Sequence, residues 1–135
     1  MTQEELIDQL NDDHQDRRLP EDADKLLTET MNQINGFLKD FTNQLAQSDL
    51  DPDEYFLGSD GIMSVLTLSL QKNKLNFSRY QDGILVEFYN QATDEVSKLD
   101  QLYFDEGKLQ SRYYQEDISS ELVDHYLESF RQAKK

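Results

Sequence analysis

The chain has 135 residues, no cysteine, and 28 acidic against 13 basic side chains, for a formal charge of −15. That length suits one domain with its own core. The missing cysteines exclude disulfides, thiol catalysis and cysteine-bearing zinc sites. The charge argues against direct binding to nucleic acid or to an anionic membrane, because either needs clustered Lys and Arg. No run approaches the roughly 18 to 20 apolar residues of a membrane helix. The opening MTQEELIDQL lacks the basic-then-apolar pattern of a secretory leader, so a cytoplasmic location is expected.

Residues 1–20 read as an acidic, mobile N-terminal segment. Thr2 and Glu5 stand in capping-box positions for a short helix over 2–10, followed by the polar linker NDDHQDRRLP. Residues 21–135 read as a single α+β domain. Leu27, Met31, Ile34, Leu38, Phe41 and Leu45 step by four and three, which puts all six on one helical face and predicts a helix over 21–47. Pro20 suits its first turn, and acidic residues at 21, 22 and 24 suit the positive end of its dipole. Gly36 within it costs up to about 1 kcal/mol against Ala. The same spacing is that of a coiled-coil seam, but it lasts barely three heptads. Packing on the chain's own sheet is favoured, with self-association left open.

The stretch SDLDPDEYFLGSDG, residues 48–61, is crowded with carboxylates. Asp49, Asp51 and Asp53 occupy the first, third and fifth positions of a calcium loop, and Asp60 the twelfth. Glu54 stands where the loop needs Gly, Asp60 is a methylene shorter than the usual Glu, and Pro52 stiffens the approach. A capped turn explains these residues better, with Asp51 as N-cap, Pro52 at N1 and Glu54 at N3. Gly58 would end one helical turn, Asp53 to Leu57, carrying Tyr55 and Phe56 inward. No metal or cofactor is expected.

From residue 62 the period becomes two. Leu66, Leu68 and Leu70 alternate with polar residues, then Leu75 and Phe77, then Ile84, Val86 and Phe88. Gln81-Asp82-Gly83 reads as a hairpin turn with Gly83 at positive φ. A second hairpin, QLYF and KLQSRYY, surrounds Asp105-Glu106-Gly107, and ATDEVSKL, residues 92–99, is predicted as a short helix between the two. The final helix, residues 117–135, carries Ile118, Leu122, Val123, Tyr126, Leu127 and Phe130 on one stripe. The fold expected is α+β: an antiparallel sheet of about five strands packed against a long N-terminal and a C-terminal amphipathic helix. With 92–99 helical, this order of elements is similar to that of type III secretion chaperones, which are also small and acidic.

Catalytic chemistry finds little support. His14 lies between Asp13 and Asp16, His125 at the edge of the last helix's apolar arc, and neither spacing assembles a nucleophile, base and orienting partner. The five glycines are scattered singly, so there is no phosphate loop. Glu87 is one conceivable acid on a sheet face. Alternation suggests instead a partner-binding face. With Leu75, Phe77, Ile84, Val86, Phe88, Leu102, Phe104, Leu109 and Tyr113 inward, the outer face holds Tyr80, Leu85, Tyr89, Tyr103, Arg112 and Tyr114, a composition typical of protein-binding surfaces. Charge is polarised as well, since residues 1–60 carry 16 acidic and 4 basic side chains. These readings favour a non-enzymatic protein-binding module (chaperone, adaptor or immunity-like partner) with a protein partner, a basic one being suited to the acidic charge. The alternative is an acidic mimic of nucleic acid that inhibits a nucleic-acid-binding enzyme.

Overall fold

The computed structural model describes residues 23–60, 62, 64–80, 83–105 and 107–132. The elements expected over 2–20, His14, and the ends of both long helices at 21–22 and 133–135 lie outside them. Helix α1 spans Ala23–Ala46 and buries Leu27, Met31, Ile34 and Leu38, with Phe37 and Phe41 packed beside them. Six strands follow in an antiparallel meander: β1 Tyr55–Ser59, β2 Val65–Leu70, β3 Asn73–Tyr80, β4 Gly83–Asn90, β5 Glu95–Asp105 and β6 Lys108–Ser111. Helix α2, Ser120–Gln132, completes the fold, capped by Ser119, whose Oγ accepts from Leu122 N at 3.2 Å. The fold is therefore α+β, as expected, with six strands where about five were read.

One hydrophobic cluster joins Leu66, Leu68, Leu75, Phe77, Ile84, Val86, Phe88, Leu102, Phe104 and Leu109 of the sheet to the apolar stripes of α1 and α2. Phe77 meets Tyr126 edge-on at 5.8 Å between centroids, and Phe88 meets Phe130 at 5.1 Å. Both helices thus lie on the same side of the sheet. Arg79, on that side of β3, pairs with Asp24 of α1 and ties the start of the helix to the end of that interior strand.

Three expectations need correction. The acidic stretch forms only a 3-10 turn, Pro52–Glu54; Asp51 is extended and makes no side-chain cap, and Tyr55 already begins β1. Gly58 is a strand residue, and Phe56 points away from the core because its neighbours Tyr55 and Leu57 take the inward positions. Residues 92–99 are not helical either. Gln91–Asp94 make a turn and 95–99 belong to β5, so the element on which the likeness to type III secretion chaperones depended is missing. Last, Gly83 does not sit at positive φ. Its role is close approach, since a Cβ there would collide with the Leu102 carbonyl of β5.

The β2–β3 hairpin turns on Gln71 and Lys72, with φ of 50° and 76°, the backbone of a two-residue turn that favours Asn-Gly. Left-handed backbone strains a residue with a Cβ. Gly36 has the opposite mismatch: it is helical, and a Cβ there would meet nothing within 4 Å. Lys72→Gly and Gly36→Ala, opposite exchanges, should therefore each stabilise the fold by about 0.5–1 kcal/mol in denaturant titrations.

Candidate functional site

The side of the sheet away from the helices is uncovered among the described residues. Strand register fixes which side chains share it. One row runs Phe56, Ser69, Lys74, Tyr89, Val96 from β1 to β5, spanning about 19 Å at the usual strand spacing. The next row is Gly58, Thr67, Asn76, Glu87, Lys98, and the third is Val65, Ser78, Leu85, Gln101. Four of the six large apolar side chains most exposed in the described chain stand here: Phe56 at 65 %, Val96 at 61 %, Tyr80 at 49 % and Val65 at 39 %. Gly58, Thr67 and Ser69 are small, and they leave a shallow hollow between Phe56, Val65 and Lys74.

Five of the six residues expected on this face are on it. Leu85 is half-buried within it, and Tyr80 ends β3. Tyr89 donates its hydroxyl to Asp94 at 2.8 Å, which raises its pKa above the ordinary tyrosine value. The Arg112 guanidinium lies over the Tyr103 ring, 5.0 Å from its centroid, a cation–π pair that orders both. Tyr114 is elsewhere. Strand β6 ends at Ser111, the chain turns over 112–114, and Tyr114 swings to the helix side, stacked on His125 at 4.3 Å with Tyr113 left 73 % exposed. Phe56, Val65 and Val96 were missed because β1 read as a helical turn, Val65 precedes the alternation, and Val96 fell in the expected helix. The face carries Lys74, Lys98, Lys108 and Arg112 among Asp60, Glu87, Asp94, Asp105 and Asp117, so basic and acidic groups are nearly balanced on it.

A second constellation lies inside. At a β-bulge between Val86 and Glu87 of β4 and the facing part of β5, Leu99 is the extra residue, and Asp100 turns toward the core, 3 % exposed. Asp100 Oδ1 accepts from Gln101 N at 2.7 Å and Tyr113 N at 2.9 Å, while Oδ2 accepts from the hydroxyls of Ser111 and Tyr126. With four donors, this buried carboxylate is a saturated acceptor and has no lone pair free for a substrate proton. Beside it, His125 Nε2 lies 3.2 Å from Glu116 Oε2, outside hydrogen-bond alignment, and its ring stacks on Tyr114. Glu87 faces Asn76 and Lys98 across the sheet, with no second carboxylate opposite it. Asp60, considered as a calcium-loop ligand, accepts from Ser64 N at 2.8 Å, from the Ser64 hydroxyl and from Val65 N at 3.2 Å, bonds that lower its pKa and close the β1–β2 link. Among the described residues no three His, Asp or Glu side chains are grouped to hold a metal, and no helix is long and apolar enough to cross a membrane.

Compared with protein-family models, curated proteins and solved structures, the chain matches none.

Burial, reinforced by the bond to Asp100, pushes the Tyr126 hydroxyl far above the ordinary value of 10.0. The unfolded chain would release that proton near pH 10 while the folded chain keeps it, so this contribution is full below pH 10 and is lost as pH rises beyond it. Stability measured by denaturant at pH 8 to 11 should fall at the alkaline end, with a shallower fall in Tyr126→Phe. Asp100→Ala strands two hydroxyls and two N–H groups, and should cost about 3–5 kcal/mol. Asp100→Asn, which keeps one acceptor oxygen, should cost less.

Proposed function

We propose that the chain is a non-enzymatic protein-binding module, of the chaperone, adaptor or immunity-like kind, and that it docks a partner on the open face of its sheet. The observation that carries this reading is the grouping of Phe56, Val65, Tyr80 and Val96 on one uncovered face, together with the ordered Tyr103–Arg112 pair. Rigid aromatic side chains with polar tips, an arginine and a shallow apolar hollow are what a recognition surface uses, because they bury area at small entropic cost. The saturated state of Asp100 and the isolation of Glu87 supply no competing acid–base pair. A cytoplasmic setting belongs to the same reading and rests on composition.

The full chain, immobilised, is washed after exposure to native extract at low and then about 1 M salt, where the Debye length shrinks to about 3 Å. A partner held by the face should remain, and the purified partner's affinity should drop more than about tenfold for Tyr80→Ser/Val96→Ser/Tyr103→Ser. That variant should melt close to the parent, since all three side chains lie outside the core. Equal affinity for parent and variant would contradict the reading. Release of a nucleic-acid enzyme by salt, insensitive to the variant, would establish the acidic mimic instead.

A further inference from the structure

The two edges of the sheet differ. Beyond β6 the chain protects its own edge: Ser111 N donates to Glu116 O at 2.9 Å, Gln110 and Asp117 form a bridge, and Asp117 is held by Lys108 and Gln110 side chains. Beyond β1 there is no further strand among the described residues. Gln71 N donates to Glu54 O at 2.7 Å and Asp60 N to Val65 O at 3.2 Å, which places 54, 56, 58 and 60 as the residues bonded to β2. Alternation then turns the N–H and C=O groups of Tyr55, Leu57 and Ser59 outward, a row of three donors and three acceptors. Strands usually blunt such an edge with a charge, a proline or a bulge, yet YFLGS contains none of these. The surroundings leave room for an added strand. A groove lined by Lys39, Thr42, Asn43, Tyr55 and Leu57 flanks the edge on the helix side, and the hollow beside Phe56 and Val65 flanks it on the open face.

Charge selects the occupant. Asp49, Asp51, Asp53 and Glu54 lie at one end of β1 and Asp60 at the other, all exposed. A second copy paired antiparallel about Leu57 would set Glu54 against Asp60 of its mate twice, bringing acid onto acid. We infer that the β1 edge accepts, as a seventh strand, an extended segment of a partner protein with an alternating apolar core and Lys or Arg at both ends. The acidic stretch around 48–60 is then the charged frame of a strand-addition site. The inference rests on the reading of the chain as a protein-binding module. It uses the backbone of β1, whereas that reading uses the side chains of the open face, so the two can fail separately.

The probes are nine-residue synthetic peptides with alternating Val/Thr, Ile/Gln or Phe/Ser cores and two Lys at each end, each compared with the same core flanked by Glu. Amide hydrogen exchange of the full chain is followed residue by residue by NMR. A Lys-flanked peptide should slow exchange at Tyr55, Leu57 and Ser59 by about tenfold or more, while its Glu-flanked counterpart does not. Ser59→Pro, which removes one outward donor at an exposed edge position, should weaken the protection. Asp51→Lys/Asp53→Lys should weaken it with the edge amides intact, so a folding defect in the proline variant would leave the test standing. Protection at those amides that grows with protein concentration and needs no peptide would overturn the inference in favour of a second copy. No protection from any Lys-flanked core would overturn it outright. Shifts confined to Tyr80, Tyr89 and Tyr103 would overturn it while leaving the open-face reading in place.

Discussion

Among the described residues the sheet is covered on one side only, and the rest of the structure depends on that. Six strands joined in sequence order form a meander, and period two sends alternate side chains to opposite faces. The buried apolar residues of β2 to β6 fall on a single face, and the stripes of α1 and α2 are the apolar helical surfaces of the described chain that cover it. Both helices are consumed there. The other face is left with whatever the remaining half of the alternation supplies, and that half includes Phe56, Val65, Tyr80, Leu85, Tyr89, Val96 and Tyr103 alongside Thr, Ser, Asn and Lys. A face that only had to be wet would not need so many rings and branched chains, each costing about 25 cal/mol for every Å² of apolar surface left in water. The functional reading grows from that mismatch.

The far end of the sheet is locked by a different interaction. The bulge at Leu99 lets Asp100 turn inward, where its carboxylate gathers β5, the end of β6, the 112–114 turn and α2 onto one group. An isolated buried charge would be prohibitive; one with four donors is tolerable, and its geometry dictates where the chain goes after Ser111. The same turn moves Tyr114 off the open face, onto His125 and toward Tyr126. The 110–117 segment that protects the β6 edge is held by this junction, while β1 at the opposite edge has no equivalent among the described residues. The asymmetry between the edges is thus built by the bulge.

Much of this was legible in the sequence, and the failures have causes. The four-and-three stripe from Leu27 to Leu45 located α1, and the stripe from Leu122 to Phe130 located α2, but Asp117 and Ile118, expected inside that helix, lie in a bridge and a bend ahead of its Ser119 cap. Strands with uninterrupted alternation, such as 84–88, were equally plain, and they placed Tyr80, Leu85, Tyr89 and Tyr103 on the correct face. Reading failed where period two is broken or too short. The bulge offsets 95–99 from the rest of β5, so Val96 and Lys98 share a face with Gln101 only after an extra residue, and the polar mixture looked helical. In β1 five residues offered too little pattern against strong capping signals from Asp51, Pro52 and Glu54. Asp100 was unreadable as a buried group, because its donors come from 11 to 26 residues away as well as from its neighbour.

Docking on the helix-free face requires that face to be bare in the folded full chain. Hydroxyl-radical footprinting read by mass spectrometry tests it directly, because oxidation of Phe, Tyr and Val side chains follows their exposure to water. Phe56, Tyr80 and Val96 should label strongly in the native protein, near the level of the unfolded chain, with Phe77, Val86 and Tyr126 protected. Native protection of Phe56, Tyr80 and Val96 together would contradict it, and would mean that this face is already covered.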